Sequence, residues 1–286
     1  MPIIESVGLS YTYHRGTPLA KKALENISLS IGEGEFISII GATGSGKSTL
    51  IQHFNGLLAP QQGALKVLGQ DCHQARVRTE LWRQVGLVFQ YPDHQLFEET
   101  VSREIAYGLN NLGIPPKKIK RLVLDAINSV GLDEALLNDS PLALSGGQKR
   151  KVALASIITM QPKILILDEP TAGIEPLARE KLLNQLKNMQ RRTRTTVLMI
   201  THSLEEAAIA DRLLVLHQGK LVLDDCPQQI FAQKDLLESV GLAVPVEVEV
   251  LHRLRQLGVS VPVDVVGVPQ AVEHIIKAYQ RGAKGG

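Results

Sequence analysis

Apolar residues recur along this chain in distinct rhythms. Short β-type runs fill the first forty residues, at Ile3 to Val7, Ile27 to Ile31 and Phe36-Ile37-Ser38-Ile39-Ile40. The last run stops at Gly41, and a helical spacing (Ser48, Leu50, Ile51, Phe54) follows it. Residues 101–131 and 146–160 carry apolar positions at helical spacing, with loops at Gly113-Ile114-Pro115-Pro116 and Asn138 to Pro141. Ile164-Leu165-Ile166-Leu167 and Thr196-Val197-Leu198-Met199-Ile200 are unbroken apolar runs of strand length. Such runs suit a parallel sheet covered on both faces. Leu177 to Met189 lies between them as a crossover helix, so the three form a βαβ unit. The predicted fold class is α/β.

Past Arg212 the pattern changes. Leu213 to Leu216 and Lys220 to Leu223 flank Gln218-Gly219, a hairpin signal. Helical patterns follow near Gln228 to Val240, Val246 to Leu257 and Gln270 to Gln280. This predicts one main domain over residues 1–226 and a small helical region over 227–286.

Composition narrows the function classes. The chain has 286 residues, 44% hydrophobic and 21% charged, which fits one or two globular domains with a full core. Its 31 basic and 29 acidic residues leave a net charge of +2, which offers no electrostatic argument for binding nucleic acid. Aromatic residues at 4% argue against stacked-base platforms. Cys72 and Cys226, the two cysteines, read as reduced thiols, with neither a disulfide nor a metal site expected. The best apolar run, Val152 to Met160, falls far short of the roughly 20 residues that span a bilayer. The start, Met1-Pro2-Ile3-Ile4-Glu5, lacks the pattern of a secretory signal. A soluble chain is expected, so any membrane process it serves needs another polypeptide for the crossing.

Three motifs carry chemistry. Gly41-Ala42-Thr43-Gly44-Ser45-Gly46-Lys47-Ser48, followed by Thr49, fits the phosphate-loop pattern and sits between a predicted strand and a predicted helix. Glycines let backbone N–H groups curl around phosphate oxygens, and the helix start adds free donors. Lys47 suits the β and γ phosphates, and the Ser48 hydroxyl suits Mg²⁺. Asp168-Glu169, just past the Ile164 to Leu167 run, sits where nucleotides bind in open α/β sheets. Asp168 is suited to Mg²⁺ and Glu169 to polarising an attacking water; taken alone, the pair also reads as a helix cap. Leu144-Ser145-Gly146-Gly147-Gln148 precedes a strongly helical segment, and alone it reads as a capped helix start.

Together these motifs resemble the ABC-type ATPases over residues 3–225. The resemblance implies ATP and Mg²⁺ as cofactors. It makes Ser145, Gly146, Gly147 and Gln148 the signature turn that closes over a partner subunit's ATP. Gln90 becomes the glutamine that touches Mg²⁺ and water, and His202 the switch histidine at the γ phosphate. Tyr13 becomes the aromatic that stacks on adenine, with Tyr11 the weaker candidate. Residues 92–160 become the helical subdomain. Ala172-Gly173-Ile174-Glu175-Pro176 departs from the family, which usually carries Asp where this chain has Glu175.

The segment Phe89 to Val101 is similar to that of energy-coupling factor transporter ATPases. That resemblance implies a motor subunit that drives uptake of a vitamin or other micronutrient. Its partners would be a second, paralogous ATPase in a heterodimer, a membrane T subunit and an interchangeable substrate-binding S subunit. No nucleic-acid partner is implied, and the chain would sit peripherally on the cytoplasmic face of the cell membrane. The opening around Leu9 to Tyr13 looks like the second of the two paralogues, and residues 227–286 would help hold the ATPases together. Tyr91, Leu96, Phe97 and Val101 are expected to give apolar grip to a membrane subunit, with Asp93, Glu98, Glu99 and Arg103 around them. Two rival readings are a soluble ABC ATPase acting on nucleic acid or ribosomes and a nucleotide sensor without turnover. Only Gly56 to Ala143 separates phosphate loop and signature, without sustained heptads, and the chain carries one such domain, which disfavours the first rival.

Overall fold

The computed structural model describes residues 2–90 and 95–283. In chain order the first elements are β1 (Ile4–Tyr13), β2 (Lys21–Ile31), β3 (Phe36–Ile40), α1 (Lys47–Phe54), β4 (Gln62–Val67), β5 (Gln70–Asp71), α2 (Ala75–Glu80) and β6 (Val85–Val88). Next come α3 (Val101–Asn111), α4 (Pro116–Ser129), α5 (Gly146–Ile158), β7 (Ile164–Asp168), α6 (Pro176–Thr193) and β8 (Thr196–Ile200). The chain ends with α7 (Leu204–Ala207), β9 (Arg212–His217), β10 (Lys220–Asp225), α8 (Pro227–Phe231), α9 (Lys234–Ser239), α10 (Val246–Gln256) and α11 (Val268–Ala283). It divides into two compact units, one of Met1–Phe36 with Ser48–Ile200, the other of Ile37–Lys47 with Thr201–Gly286.

The larger unit holds an antiparallel sheet in the order β2-β1-β4-β5 and three parallel strands in the order β8-β7-β6. Ile164 to Leu167 are all fully buried, as expected of an inner strand covered on both faces. Register decides what emerges from the strand ends. Val88 stands opposite Leu167, so the chain leaves β6 toward Gln90 beside the chain leaving β7 toward Glu169. Thr100 caps α3 by accepting from the Arg103 N–H. Ser145 and Gln148 cap α5 reciprocally, satisfying two donors that the first helical turn would otherwise leave open.

In the smaller unit β3 runs parallel to β9, and β9 turns back into β10. Gln218 (φ 48) and Gly219 (φ 79) supply the two positive-φ residues that a tight hairpin turn requires. Phe231, Leu237 and Val248 of α8, α9 and α10 share one buried cluster with Leu213, Val215 and Ile40. Leu251, Val261 and Ala271 form a second, small cluster under α10 and α11. The single helical pattern expected over Gln228 to Val240 is two helices here, parted at Ala232-Gln233.

Candidate functional site

The residues of the phosphate loop belong to a strand end, a turn and a helix start in unbroken succession. Gly41 has φ 154, and an added Cβ there would fall 2.2 Å from the Leu216 carbonyl oxygen and 2.6 Å from Ser45 Oγ. Only glycine fits. Gly46, at φ 106, needs the same freedom just before the helix. Lys47 is buried, and its Nζ donates to the carbonyls of Gly41 at 2.7 Å and Ala42 at 3.1 Å. The ammonium thus lies folded into its own loop. Ser45 Oγ is buried without a hydrogen-bond partner, while Ala42, Thr43 and Gly44 are exposed. A buried orphan hydroxyl is costly in a closed core, which suits a loop built to receive phosphate oxygens.

Within the larger unit, the start of α1 meets the end of β7. Ser48 Oγ lies 3.4 Å from Asp168 Oδ2, pairing a hydroxyl and a carboxylate, both hard oxygen donors. Among the described residues no group of three or more His, Cys, Asp or Glu side chains could hold a metal alone. Two protein oxygens are nonetheless what Mg²⁺ takes when substrate phosphates complete its shell, so Ser48 and Asp168 fit it.

Beside them, Gln90 Nε2 donates to Glu169 Oε2 at 2.8 Å, the meeting that strand register foretells. Glu169 has φ 50, left-handed backbone that costs a non-glycine residue about 1 kcal/mol or more. Its N–H donates to the Ile200 carbonyl, which fixes the strained residue against β8. Two residues not singled out from sequence hold the Gln90 segment. Arg150 of α5 donates from Nη2 to the Gln90 carbonyl at 3.1 Å, and Gln95 Oε1 accepts from the Phe89 N–H. A distant carbonyl leaves no sequence mark.

Tyr13 is half-buried, and its hydroxyl lies 3.2 Å from Thr49 Oγ1, one residue past Ser48. In the smaller unit His202 is exposed between Thr201 and Ser203. Thr201 donates to Glu206 at 2.6 Å and accepts from the Ser203 N–H, which fixes the backbone on both sides of the imidazole.

At the signature turn, the Ser145 N–H donates to Gln148 Oε1 at 2.9 Å and the Gln148 N–H donates to Ser145 Oγ at 3.3 Å. Gly146 and Gly147 are exposed, and a Cβ on either would meet nothing within 4 Å. Nothing among the described residues demands glycine there. Glu175 is the N-cap residue of α6 but makes no side-chain cap.

The expected docking surface needs correction. Leu96 is 6% exposed and Val101 fully buried, so both belong to the core under the helical segment and neither offers grip to a partner. Val101 is already the first residue of α3 and points into the core, so this stretch is a packed loop and helix start. Phe97 is 61% exposed and packs edge-on against Tyr107. The N–H groups of Phe97 and Glu98 both donate to the buried carboxylate of Glu104 at 2.9 Å, which anchors the segment from below. Glu99 and Arg103 pair with each other. Tyr91 and Asp93 lie outside the described residues.

Comparison with known proteins bears on this constellation directly. Residues 24–172 match the ABC transporter family. The chain is 46% identical over 287 residues to the energy-coupling factor transporter ATP-binding protein EcfA2 of Caldanaerobacter subterraneus subsp. tengcongensis, covering 99% of both chains. It belongs to the energy-coupling factor ABC ATPases. Within that family it is also 40% identical to EcfA1 of the same organism, over 96% of this chain and 99% of that one. Among solved structures, this ABC ATPase matches cbiO1 from Clostridium perfringens, part of the ABC transporter complex cbiONQ, with TM-score 0.74 and 33% identity, over 90% of this chain and 97% of that one. It also matches the dimeric, post-hydrolysis ATP-binding cassette MJ0796 bound to ADP and Pi, with TM-score 0.73 and 27% identity, over 78% and 98% of the two chains.

Proposed function

We propose that this ABC ATPase is the motor subunit of an energy-coupling factor importer, which converts ATP binding and hydrolysis into uptake of a vitamin or other micronutrient. The observation that carries the reading is the pairing of Ser48 with Asp168 beside that of Gln90 with Glu169, at neighbouring strand ends of one sheet. These are an oxygen pair suited to Mg²⁺ and a carboxylate suited to a water.

In this reading Gly41 to Thr49 hold the triphosphate, and Tyr13 stacks on the adenine. Lys47 exchanges its two loop carbonyls for phosphate oxygens, which are charged and therefore stronger acceptors. Ser48, Asp168 and Gln90 would hold Mg²⁺, which neutralises charge on the phosphoryl oxygens when bound. Glu169 takes the proton of the attacking water, and its fixed backbone keeps the carboxylate aimed. His202 takes the switch role at the γ phosphate on the strength of its motif. Ser145, Gly146, Gly147 and Gln148 serve the ATP of a partner. The bare space around both glycines supports that reading, because an approaching triphosphate would occupy it.

The partner is a second, paralogous ATPase, with which the chain forms a heterodimer through the signature turn and residues 227–286. Membrane T and interchangeable S subunits complete the assembly, with Tyr91, Phe97 and Glu98 in the docking surface, on the cytoplasmic face of the membrane. No helix among the described residues is long and apolar enough to cross a membrane, in keeping with a subunit that delivers work to others. Purification of the tagged chain from membranes, followed by identification of its companions, tests this directly. A second ATPase and a membrane subunit are expected, whereas recovery of ribosomes or DNA alone would refute the transport role.

A further inference from the structure

Tyr13 does not stand alone. Tyr11 packs edge-on against its ring, with centroids 4.9 Å apart and planes at 81°. The same Tyr11 meets His53 edge-on at 4.9 Å and 78°. His53 Nδ1 lies 2.7 Å from the Thr49 carbonyl oxygen, and Thr49 Oγ1 returns to the Tyr13 hydroxyl. The four residues therefore close a circuit, one link of which is the Thr49 backbone carbonyl. Two come from one face of β1, at the two-residue spacing of a strand, and two from one face of α1, at the four-residue spacing of a helix.

His53 is fully buried, and its Nε2 has no partner. A carbonyl can only accept, so the neutral ring carries its proton on Nδ1 and donates it to Thr49. An aliphatic residue would fill the space without stranding a nitrogen. What imidazole adds is that one hydrogen bond together with a flat edge for Tyr11.

We propose that Tyr11 and His53 are positioning residues for base recognition: they lock the Tyr13 ring to the Thr49–His53 face of α1, so that the adenine platform is held fixed on the helix that carries Ser48 and Thr49. The inference rests on the reading of Tyr13 as the adenine-stacking aromatic. Phosphate contacts are common to every triphosphate, so loosening the circuit affects the base and spares the phosphates. An edge-to-face contact of this kind corresponds to an affinity change of about three- to tenfold.

The test is calorimetric titration of the full chain with MgATP and, separately, with magnesium tripolyphosphate, which has no base. Tyr13→Leu is expected to weaken ATP binding and leave tripolyphosphate unchanged. Tyr11→Leu and His53→Leu should do the same, and adding either to Tyr13→Leu should cost nothing more. Tyr11→Phe keeps the ring edge and should bind ATP like the wild type. If Tyr13→Leu has no effect, the platform reading itself fails. If Tyr13→Leu is selective but Tyr11→Leu leaves ATP affinity unchanged, weakens both ligands equally, or adds fully to Tyr13→Leu, the platform stands and the positioning role is overturned. Should His53→Leu not fold, the Tyr11 variants decide alone.

Discussion

The Gln90 amide donates to the Glu169 carboxylate at 2.8 Å, and the two residues arrive there from adjacent parallel strands in register. The group proposed to receive a proton from water is therefore held by a residue proposed to help hold Mg²⁺. For Gln90→Ala, steady-state ATPase activity of the assembled complex should fall by about tenfold or more, with ATP affinity kept. A fluorescent nucleotide titration separates the two effects.

Arg150 extends that link into the signature helix, because its guanidinium grips the Gln90 carbonyl at 3.1 Å. Arg150→Met should lower turnover, since a charged hydrogen bond of this type contributes about 1.5–3 kcal/mol. If Arg150 acts through Gln90, the same change in a Gln90→Ala background should cost little more. A double-mutant cycle on kcat measures the coupling.

Glu175 heads α6 without capping it. Aspartate has the shorter side chain that reaches the helix N–H groups, so Glu175→Asp should stabilise the chain by about 0.5–1 kcal/mol. Thermal unfolding checks this, and an unchanged or lower Tm would argue against the cap geometry.

Much of this was legible in the sequence, for physical reasons. Ile164 to Leu167 and Val197 to Ile200 announced buried parallel strands because burial on both faces favours apolar residues at every position. The phosphate loop was legible because glycines at Gly41 and Gly46 answer to backbone demands that no other residue meets. The strand Val85 to Val88 escaped, since Gly86 breaks a run of only four residues. Gly86 is needed because a Cβ there would lie 2.3 Å from Ile157 Cγ2 of α5, a tertiary constraint with no local sign. β4 escaped as well, its residues Gln62 to Ala64 being exposed and its pairing made with distant β1. Leu96 was assigned to the wrong side of the surface, because a lone leucine in a loop shows no period.

His53 bears on acid stability. Burial pushes its pKa below the ordinary 6.5, partly offset by the hydrogen bond to the Thr49 carbonyl, with Tyr11 against the ring. The unfolded chain then binds the extra proton first, so stability is full above pH 6.5 and is lost as pH falls below it. In denaturant melts His53→Gln should flatten that part of the pH profile, and an unchanged slope would assign the dependence to other groups.

Cys72 is fully buried, and burial pushes its thiol up to about 11. Thiolate is the reactive form, so at pH 8 an alkylating reagent should leave Cys72 unmodified until the chain unfolds. Peptide mass mapping reads the outcome.

Glu169 decides the central question of whether this site hydrolyses ATP. With the complex purified together with its membrane and ATPase partners, Glu169→Gln should retain bound MgATP while phosphate release from this site drops by about a hundredfold or more. Turnover at the wild-type rate, with no ATP retained, would contradict the account.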